Sequence, residues 1–145
     1  MKFSMMALAA GAALLCAAPA HAQDQWMQQV HAQLGTVVQA LNKEGLTPAG
    51  EPRVGALNEG VSDEVELQLT AGSYLIVGVC DTDCSDMDLL LSQNGTELAS
   101  DFEMDDTPVL AVQVPAGGTF SLRVDMATCT AGPCRYGVGV FTTQE

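Results

Sequence analysis

The sequence predicts a mainly β protein: an antiparallel, jelly-roll-like β-sandwich of about seven to eight strands, preceded by one N-terminal α-helix. Apolar and polar residues alternate with a period of two through much of the chain beyond residue 59. Turn signals such as Asn94-Gly95 separate these short runs at even spacing. Only residues 23–42 show the period of an amphipathic helix.

The N-terminus has the pattern of a secretory signal peptide. Lys2 precedes an apolar run over residues 5–18, and Ala20-His21-Ala22 matches an A-x-A cleavage site. The apolar run is too short to anchor the chain across a bilayer. We therefore expect an exported protein, periplasmic or extracellular, with no membrane span in the mature form.

The change of period predicts the remaining organisation. The helical stripe from Trp26 to Leu41 has Asp24 as a candidate N-cap, and Gly45 lies where a C-terminal glycine would end the helix. Prolines and glycines over residues 47–52 are typical of a linker. The predicted segments are a signal peptide at 1–22, the helix at 23–46, a linker at 47–58 and the sandwich at 59–145.

Seven runs within the sandwich are predicted to be strands. The alternation is clearest over residues 119–126, whereas 74–80 is apolar on both faces and indicates a central strand. Gly137 and Gly139 in the last run indicate a close backbone approach or a bulge. The runs are 64–70, 74–80, 87–91, 96–100, 108–114, 119–126 and 136–141.

The charge balance limits the partners. The whole chain has a formal net charge of −13, with 18 acidic residues. Beyond residue 22 the only basic residues are Lys43, Arg53, Arg123 and Arg135. Such a surface does not attract nucleic acid or anionic lipid, so cations or basic protein partners are expected. The alternative is that the acidity only keeps an exported protein dissolved.

Four cysteines remain after the signal peptide: Cys80, Cys84, Cys129 and Cys134. An even number in a small exported domain predicts two disulfides, with three possible pairings. Each close pair flanks a turn-like segment, so we favour the local bridges Cys80–Cys84 and Cys129–Cys134. A four-cysteine zinc site is the alternative, which an oxidising compartment disfavours.

Two acidic loops form the candidate functional site. One lies over residues 80–88, and the other, over 101–106, follows the Asn94-Gly95 hairpin and is expected to return to the same end of the sandwich. Closely spaced aspartates supply the oxygen ligands that calcium prefers, although aspartate also stabilises turns and faces water routinely. The candidate calcium ligands are Asp81, Asp83, Asp86, Asp88, Asp101 and Asp105.

Several short motifs together resemble the bacterial pre-peptidase C-terminal domain family. They are LTAGSY at 69–74, DMDL at 86–89, VPAGGTF at 114–120, LRV at 122–124 and YGV at 136–138. The resemblance covers roughly residues 59–143 and implies a jelly-roll-like sandwich that is usually appended to secreted peptidases and is not catalytic. Asp86 and Asp88 carry the family's D-x-D-L match, which implies that they are structurally important. The resemblance also implies possible ligands, since some relatives bind calcium and some bind matrix or polymeric substrates. Phe120 stands where the family usually has tyrosine.

Catalytic motifs are missing from the sequence. It has no G-x-S-x-G or H-E-x-x-H motif, and beyond residue 22 its only histidine is His31, in the predicted helix. We therefore expect a non-catalytic binding or structural module, stabilised by calcium. One alternative is an accessory or inhibitor-like partner of a secreted hydrolase, which would act in trans since no peptidase domain precedes the sandwich here. The other alternative is a small hydrolase that uses the acidic loops.

Overall fold

The chain folds as an antiparallel β-sandwich with one helix packed on its outside. The computed structural model describes residues 24–143, so the predicted signal peptide lies outside the described residues. All seven predicted strands are present, and two further short strands precede them. The elements are α1 (Gln25–Lys43), β1 (Leu46–Pro48), β2 (Arg53–Leu57), β3 (Ser62–Leu69), β4 (Gly72–Cys80), β5 (Cys84–Gln93), β6 (Thr96–Asp101), β7 (Val109–Val114), β8 (Gly118–Cys129) and β9 (Cys134–Thr143).

Two sheets form the sandwich. In sheet A the strand order is β1-β9-β4-β7, and β2 also pairs with β9. In sheet B the order is β3-β8-β5-β6. Every pairing is antiparallel, which confirms the predicted fold class. Every connection from β2 to β9 except the β5–β6 hairpin crosses between the sheets, so the two acidic loops, β4–β5 and β6–β7, are both crossover loops.

The segment 47–58, predicted to be a linker, instead contains strand structure. β1 pairs with the C-terminal half of β9 and β2 with its N-terminal half, so the two short strands share one edge of sheet A. Pro48 ends β1 and Pro52 immediately precedes β2. Proline has no N–H to donate and is therefore tolerated at sheet edges. Here the prolines mark an edge, and the linker assignment needs this correction.

The core lies between the two sheets and follows the period of two. On β8 the inward side chains, Phe120, Leu122, Val124 and Met126, are at most 2% exposed. Tyr136 on β9 is equally buried, and its hydroxyl donates a hydrogen bond of 2.7 Å to Asp63 Oδ2 at the rim. The buried apolar side chains on both sheets supply the main driving force for folding.

Helix α1 covers the outer face of sheet A. Val30 and Leu34 are buried there against Val79, and they pass directly over Gly137 of β9. A Cβ atom at Gly137 would lie 2.8 Å from side-chain carbons of both helix residues. The close backbone approach predicted for this strand is therefore confirmed at Gly137.

The helix N-terminus is tied to sheet A. Asp24, the predicted N-cap, accepts hydrogen bonds from the backbone N–H groups of Trp26 and Met27. Its second oxygen lies 2.6 Å from Arg135 Nε on β9.

Within residues 24–143, no helix is both long enough and apolar enough to cross a bilayer. The outer face of sheet B is polar, with Glu64, Glu66 and Gln68 all exposed.

Candidate cation site at the crossover loops

The β4–β5 turn contains Asp81 and Asp83 and is closed by the Cys80–Cys84 disulfide. Asp81 is only 1% exposed. Its carboxylate accepts hydrogen bonds from the backbone N–H of Asp83, at 3.0 Å, and of Arg135, at 2.6 Å. This is the bonding of a turn-stabilising carboxylate, the alternative that the sequence left open for the acidic loops.

The second disulfide, Cys129–Cys134, lies at the same end of the sandwich. Cys84 and Cys129 are directly opposite each other in the β5–β8 ladder, so the two bridges are adjacent. Both favoured local pairings are thus confirmed. The carbonyl of Asp83 also accepts hydrogen bonds from the N–H and the hydroxyl of Thr130, which joins the two disulfide-bonded turns.

Helix α1 also holds the β4–β5 turn. The side-chain amide of Gln33 donates a hydrogen bond of 2.7 Å to the Cys80 carbonyl, and Gln29 Oε1 accepts one of 3.1 Å from Thr82 N–H. The turn is therefore bonded to sheet A, to β8 and to the helix. These constraints give the Asp81 carboxylate a structural role in this turn, whereas the described contacts of Asp83 are made by its backbone.

The β6–β7 loop is organised by its own aspartates. Asp101 accepts a hydrogen bond from Glu103 N–H at 3.1 Å and, through its other oxygen, from Val109 N–H at 2.9 Å. One carboxylate thereby joins the beginning of the loop to its end. Asp105 accepts from Thr107 N–H through its side chain, and its carbonyl accepts from Met87 N–H of β5. The loop accordingly lies alongside the beginning of β5, at the end of the sandwich to which the hairpin was expected to return it.

Asp86 and Asp88 form the unusual part of the site. They alternate on β5 with Met87 and Leu89, which are fully buried in the core, so the two aspartates are directed to the outer face of sheet B. One oxygen of each, Oδ1, is shielded from solvent and has no hydrogen-bond partner among the described residues. An enclosed carboxylate oxygen without a donor is unfavourable, and it is the kind of oxygen that a cation satisfies.

Burial and like charges raise the pKa of both carboxyl groups. For Asp86, burial raises the pKa first and repulsion from Asp105 adds to it. For Asp88, burial again comes first, followed by repulsion from Asp86, Asp125 and Asp101, and Arg123 opposes these effects. The structure therefore brings Asp86, Asp88, Asp101 and Asp105 into one electrostatic neighbourhood.

Two residues of this neighbourhood were absent from the sequence-based prediction. Asp125 lies directly opposite Asp88 in the β5–β8 ladder, and Arg123 lies opposite Leu90. Arg123 Nε donates to both oxygens of Asp125, at 2.9 and 3.0 Å. The alternation in 119–126 placed both on the polar face of β8, but only the pairing register reveals which residues of β5 they face.

The carboxylates are near one another but do not form a closed coordination shell. Among residues 24–143, no group of three or more His, Cys, Asp or Glu side chains is arranged to hold a metal ion. Calcium needs six to eight oxygen ligands, which backbone carbonyls and water also supply. Cation binding therefore requires the side chains of the loop and of β5 to draw together.

Comparison with known proteins adds no assignment to this geometry. No family model matches the chain, and no curated protein matches it significantly. The resemblance to the pre-peptidase C-terminal domain family consequently rests on the motifs alone.

Acidification is expected to remove the cost of keeping the Asp86 and Asp88 carboxylates charged and so to raise the midpoint of thermal unfolding (Tm). Both pKa values lie above the ordinary 3.8, so the folded state binds these protons more tightly than the unfolded state. The resulting loss of folding stability is fully present above the folded-state pKa values and disappears as the pH falls toward 3.8. Asp24 acts oppositely, because Arg135 lowers its pKa and its contribution is lost as the pH falls through that lowered value.

The measurement is Tm against pH in the presence of chelator. The double substitution Asp86→Asn with Asp88→Asn is expected to raise the neutral-pH Tm by a few degrees, since solvent screening limits the effect. It should also flatten the rise that acid produces in the unsubstituted protein. Parallel Tm curves for the two proteins would contradict the assignment of this pH dependence to β5.

Proposed function

We propose that this chain is an exported, non-catalytic β-sandwich module that binds a partner and is stabilised by calcium. The observation that carries the cation proposal is the pair of enclosed oxygens without hydrogen-bond partners on Asp86 and Asp88. Asp101 and Asp105, on the loop beside β5, are the further ligands we assign. A divalent cation there would offset the burial and the repulsion from neighbouring carboxylates that raise the pKa of Asp86 and Asp88.

Export is supported by the two disulfides together with the signal-like pattern of residues 1–22. The non-catalytic assignment is supported by the chemistry of the side chains. All four cysteines of the described residues are in disulfides, which removes them as nucleophiles, and His31 is exposed on the helix. The acidic surface is suited to binding cations and basic partners.

Calcium is expected to raise the Tm of the oxidised protein above its value in chelator. A ligand that binds only the folded state at a hundredfold excess over its Kd adds about 2.7 kcal/mol to the free energy of unfolding. For a domain of this size, a shift of roughly 10 °C follows. Thermal unfolding followed by circular dichroism, as a function of calcium concentration, measures this effect.

The matched control removes the same charge from the same face of the sandwich. Asp86→Asn with Asp88→Asn should abolish the calcium shift, whereas Glu64→Gln with Glu66→Gln, on β3 of the same sheet, should retain it. An unchanged Tm of the unsubstituted protein at saturating calcium would refute the cation site. If both double variants lose the calcium-induced rise in Tm to the same extent, that rise reflects only general charge screening.

A further inference from the structure

Exposed apolar side chains are concentrated in one segment of the chain, the β6–β7 loop and the strand residues beside it. Six large apolar residues are exposed in the described part of the chain, and four of them lie within residues 98–109. Met104 is 90% exposed and Phe102 is 52% exposed. Single exposed apolar residues are ordinary, but several in one loop and its flanking strands are typical of an interaction surface. The four residues are Leu98, Phe102, Met104 and Val109.

The loop that presents these residues has a defined conformation. Asp101 bonds to the N–H groups of Glu103 and Val109, so the segments around Phe102 and Val109 are held side by side. The Asp105 carbonyl joins the loop to β5 through Met87 N–H. Phe102 and Met104 are thus displayed by a loop that is fixed at both ends, and an apolar group displayed in this way is ready to bind without much ordering cost.

Every charged residue of the segment 97–109 is acidic, and Arg123, the basic residue in the neighbourhood of Asp88, is paired with Asp125. Residues 54–122 contain no lysine, arginine or histidine. The same stretch of loop and strand that carries the apolar residues contains five acidic ones. We name the β6–β7 surface as the exposed loop side chains Phe102 and Met104 with the acidic residues Asp101, Glu103, Asp105 and Asp106.

We propose that the β6–β7 surface binds a basic amphipathic polypeptide segment, in which lysine or arginine alternates with apolar side chains. Such a segment covers Phe102 and Met104 with its apolar residues while its cations meet the acidic rim. The inference rests on the binding role proposed above and names its surface and partner class. It does not require the bound cation.

Charge complementarity selects this occupant over two others. A second copy of the chain would place the same acidic rim against itself, and like charges across an interface are unfavourable. An anionic bilayer would repel the surface for the same reason. A basic segment alone both removes the apolar groups from water and neutralises the rim.

The test measures binding of a fluorescent synthetic helix-forming peptide of lysine and leucine to the oxidised protein by fluorescence anisotropy. Two matched peptides, one with glutamate for lysine and one with serine for leucine, should not bind measurably. Phe102→Ser with Met104→Ser is expected to weaken binding by about tenfold or more, because two exposed anchors lose their apolar contact. Both residues lie outside the core, so these substitutions leave the fold intact.

Control variants locate the surface. Val54→Ser with Val61→Ser removes two exposed apolar residues elsewhere, which are 43% and 45% exposed, and should leave the affinity unchanged. Glu103→Gln with Asp106→Asn should weaken binding roughly threefold and reduce its salt dependence, while Glu44→Gln with Glu51→Gln should have a much smaller effect. Equal effects of the loop variants and their controls would overturn the proposal.

Two further outcomes would also overturn it. If the protein dimerises and Phe102→Ser with Met104→Ser restores the monomer, while the lysine–leucine peptide does not bind, then a second copy occupies the surface. If the peptide does not bind but calcium still raises the Tm, the docking surface is refuted and the cation site stands. If the lysine–leucine peptide binds but calcium does not raise the Tm, only the cation site is refuted.

Discussion

Replacing Asp81 with alanine is expected to destabilise the protein by about 2–4 kcal/mol. The carboxylate is 1% exposed and accepts hydrogen bonds from the N–H groups of Asp83 and Arg135. Its removal leaves two backbone N–H donors, one in the β4–β5 turn and one on β9, without an acceptor. The Arg135 bond also joins the turn to β9, so the substitution weakens the contact between adjacent strands of sheet A. Urea unfolding at neutral pH measures the loss.

Two control variants distinguish this bonding from a simple loss of charge. Asp83→Ala removes a carboxylate two residues away and is expected to cost much less, because the described contacts of Asp83 are made by its backbone. Asp81→Asn should give an intermediate loss, since an amide has one acceptor oxygen where the carboxylate has two. If Asp81→Ala and Asp83→Ala cost the same, the buried hydrogen bonds of Asp81 are not what stabilises the turn.

Replacing Gly137 with alanine is expected to destabilise the protein by about 1–3 kcal/mol and to displace α1 from sheet A. The new Cβ would lie 2.8 Å from Leu34 Cδ1 and 2.8 Å from Val30 Cγ1. Both helix residues are buried, so they cannot move aside without losing their contact with Val79. The chain has one tryptophan, Trp26 on α1, and its fluorescence emission reports how closely the helix stays packed.

The helix itself contains the matched control. Gly35 is exposed on α1, and a Cβ atom there would contact nothing within 4 Å. Gly35→Ala is therefore expected to stabilise the protein by roughly 0.5–1 kcal/mol through helix propensity, with the Trp26 emission unchanged. A Gly137→Ala variant with wild-type stability and emission would mean that the helix adjusts freely over the sheet.

Local patterns were sufficient for the regular elements. The alternation over residues 119–126 predicted β8, and the helical stripe from Trp26 to Leu41 predicted α1, because the period of buried side chains follows directly from backbone geometry. The disulfide pairing was also predictable, since each pair of cysteines flanks one turn. Strands β1 and β2 were missed because their prolines resemble linker composition and their only partner, β9, is about 90 residues away in the sequence.

The candidate site shows where local patterns end. Asp81, Asp86 and Asp101 look alike in the sequence, each an aspartate in an acidic loop. In the folded chain Asp81 bonds to two backbone donors, Asp101 joins the ends of the β6–β7 loop, and Asp86 keeps an enclosed oxygen without a partner. Nothing in the spacing distinguishes these three environments.

The sequence by itself determined the β-sandwich class, the helix and the excess of negative charge, and it favoured the local disulfides. Each of these depends on neighbouring residues or on composition, and both can be read along the chain. Only the tertiary structure decided that the β6–β7 loop lies beside β5, that Asp125 faces Asp88, and that Gly137 lies beneath the helix. Those relations depend on strand register and on packing between distant segments. A shift of one residue in the register of a strand would turn its side chains to the opposite face of the sheet.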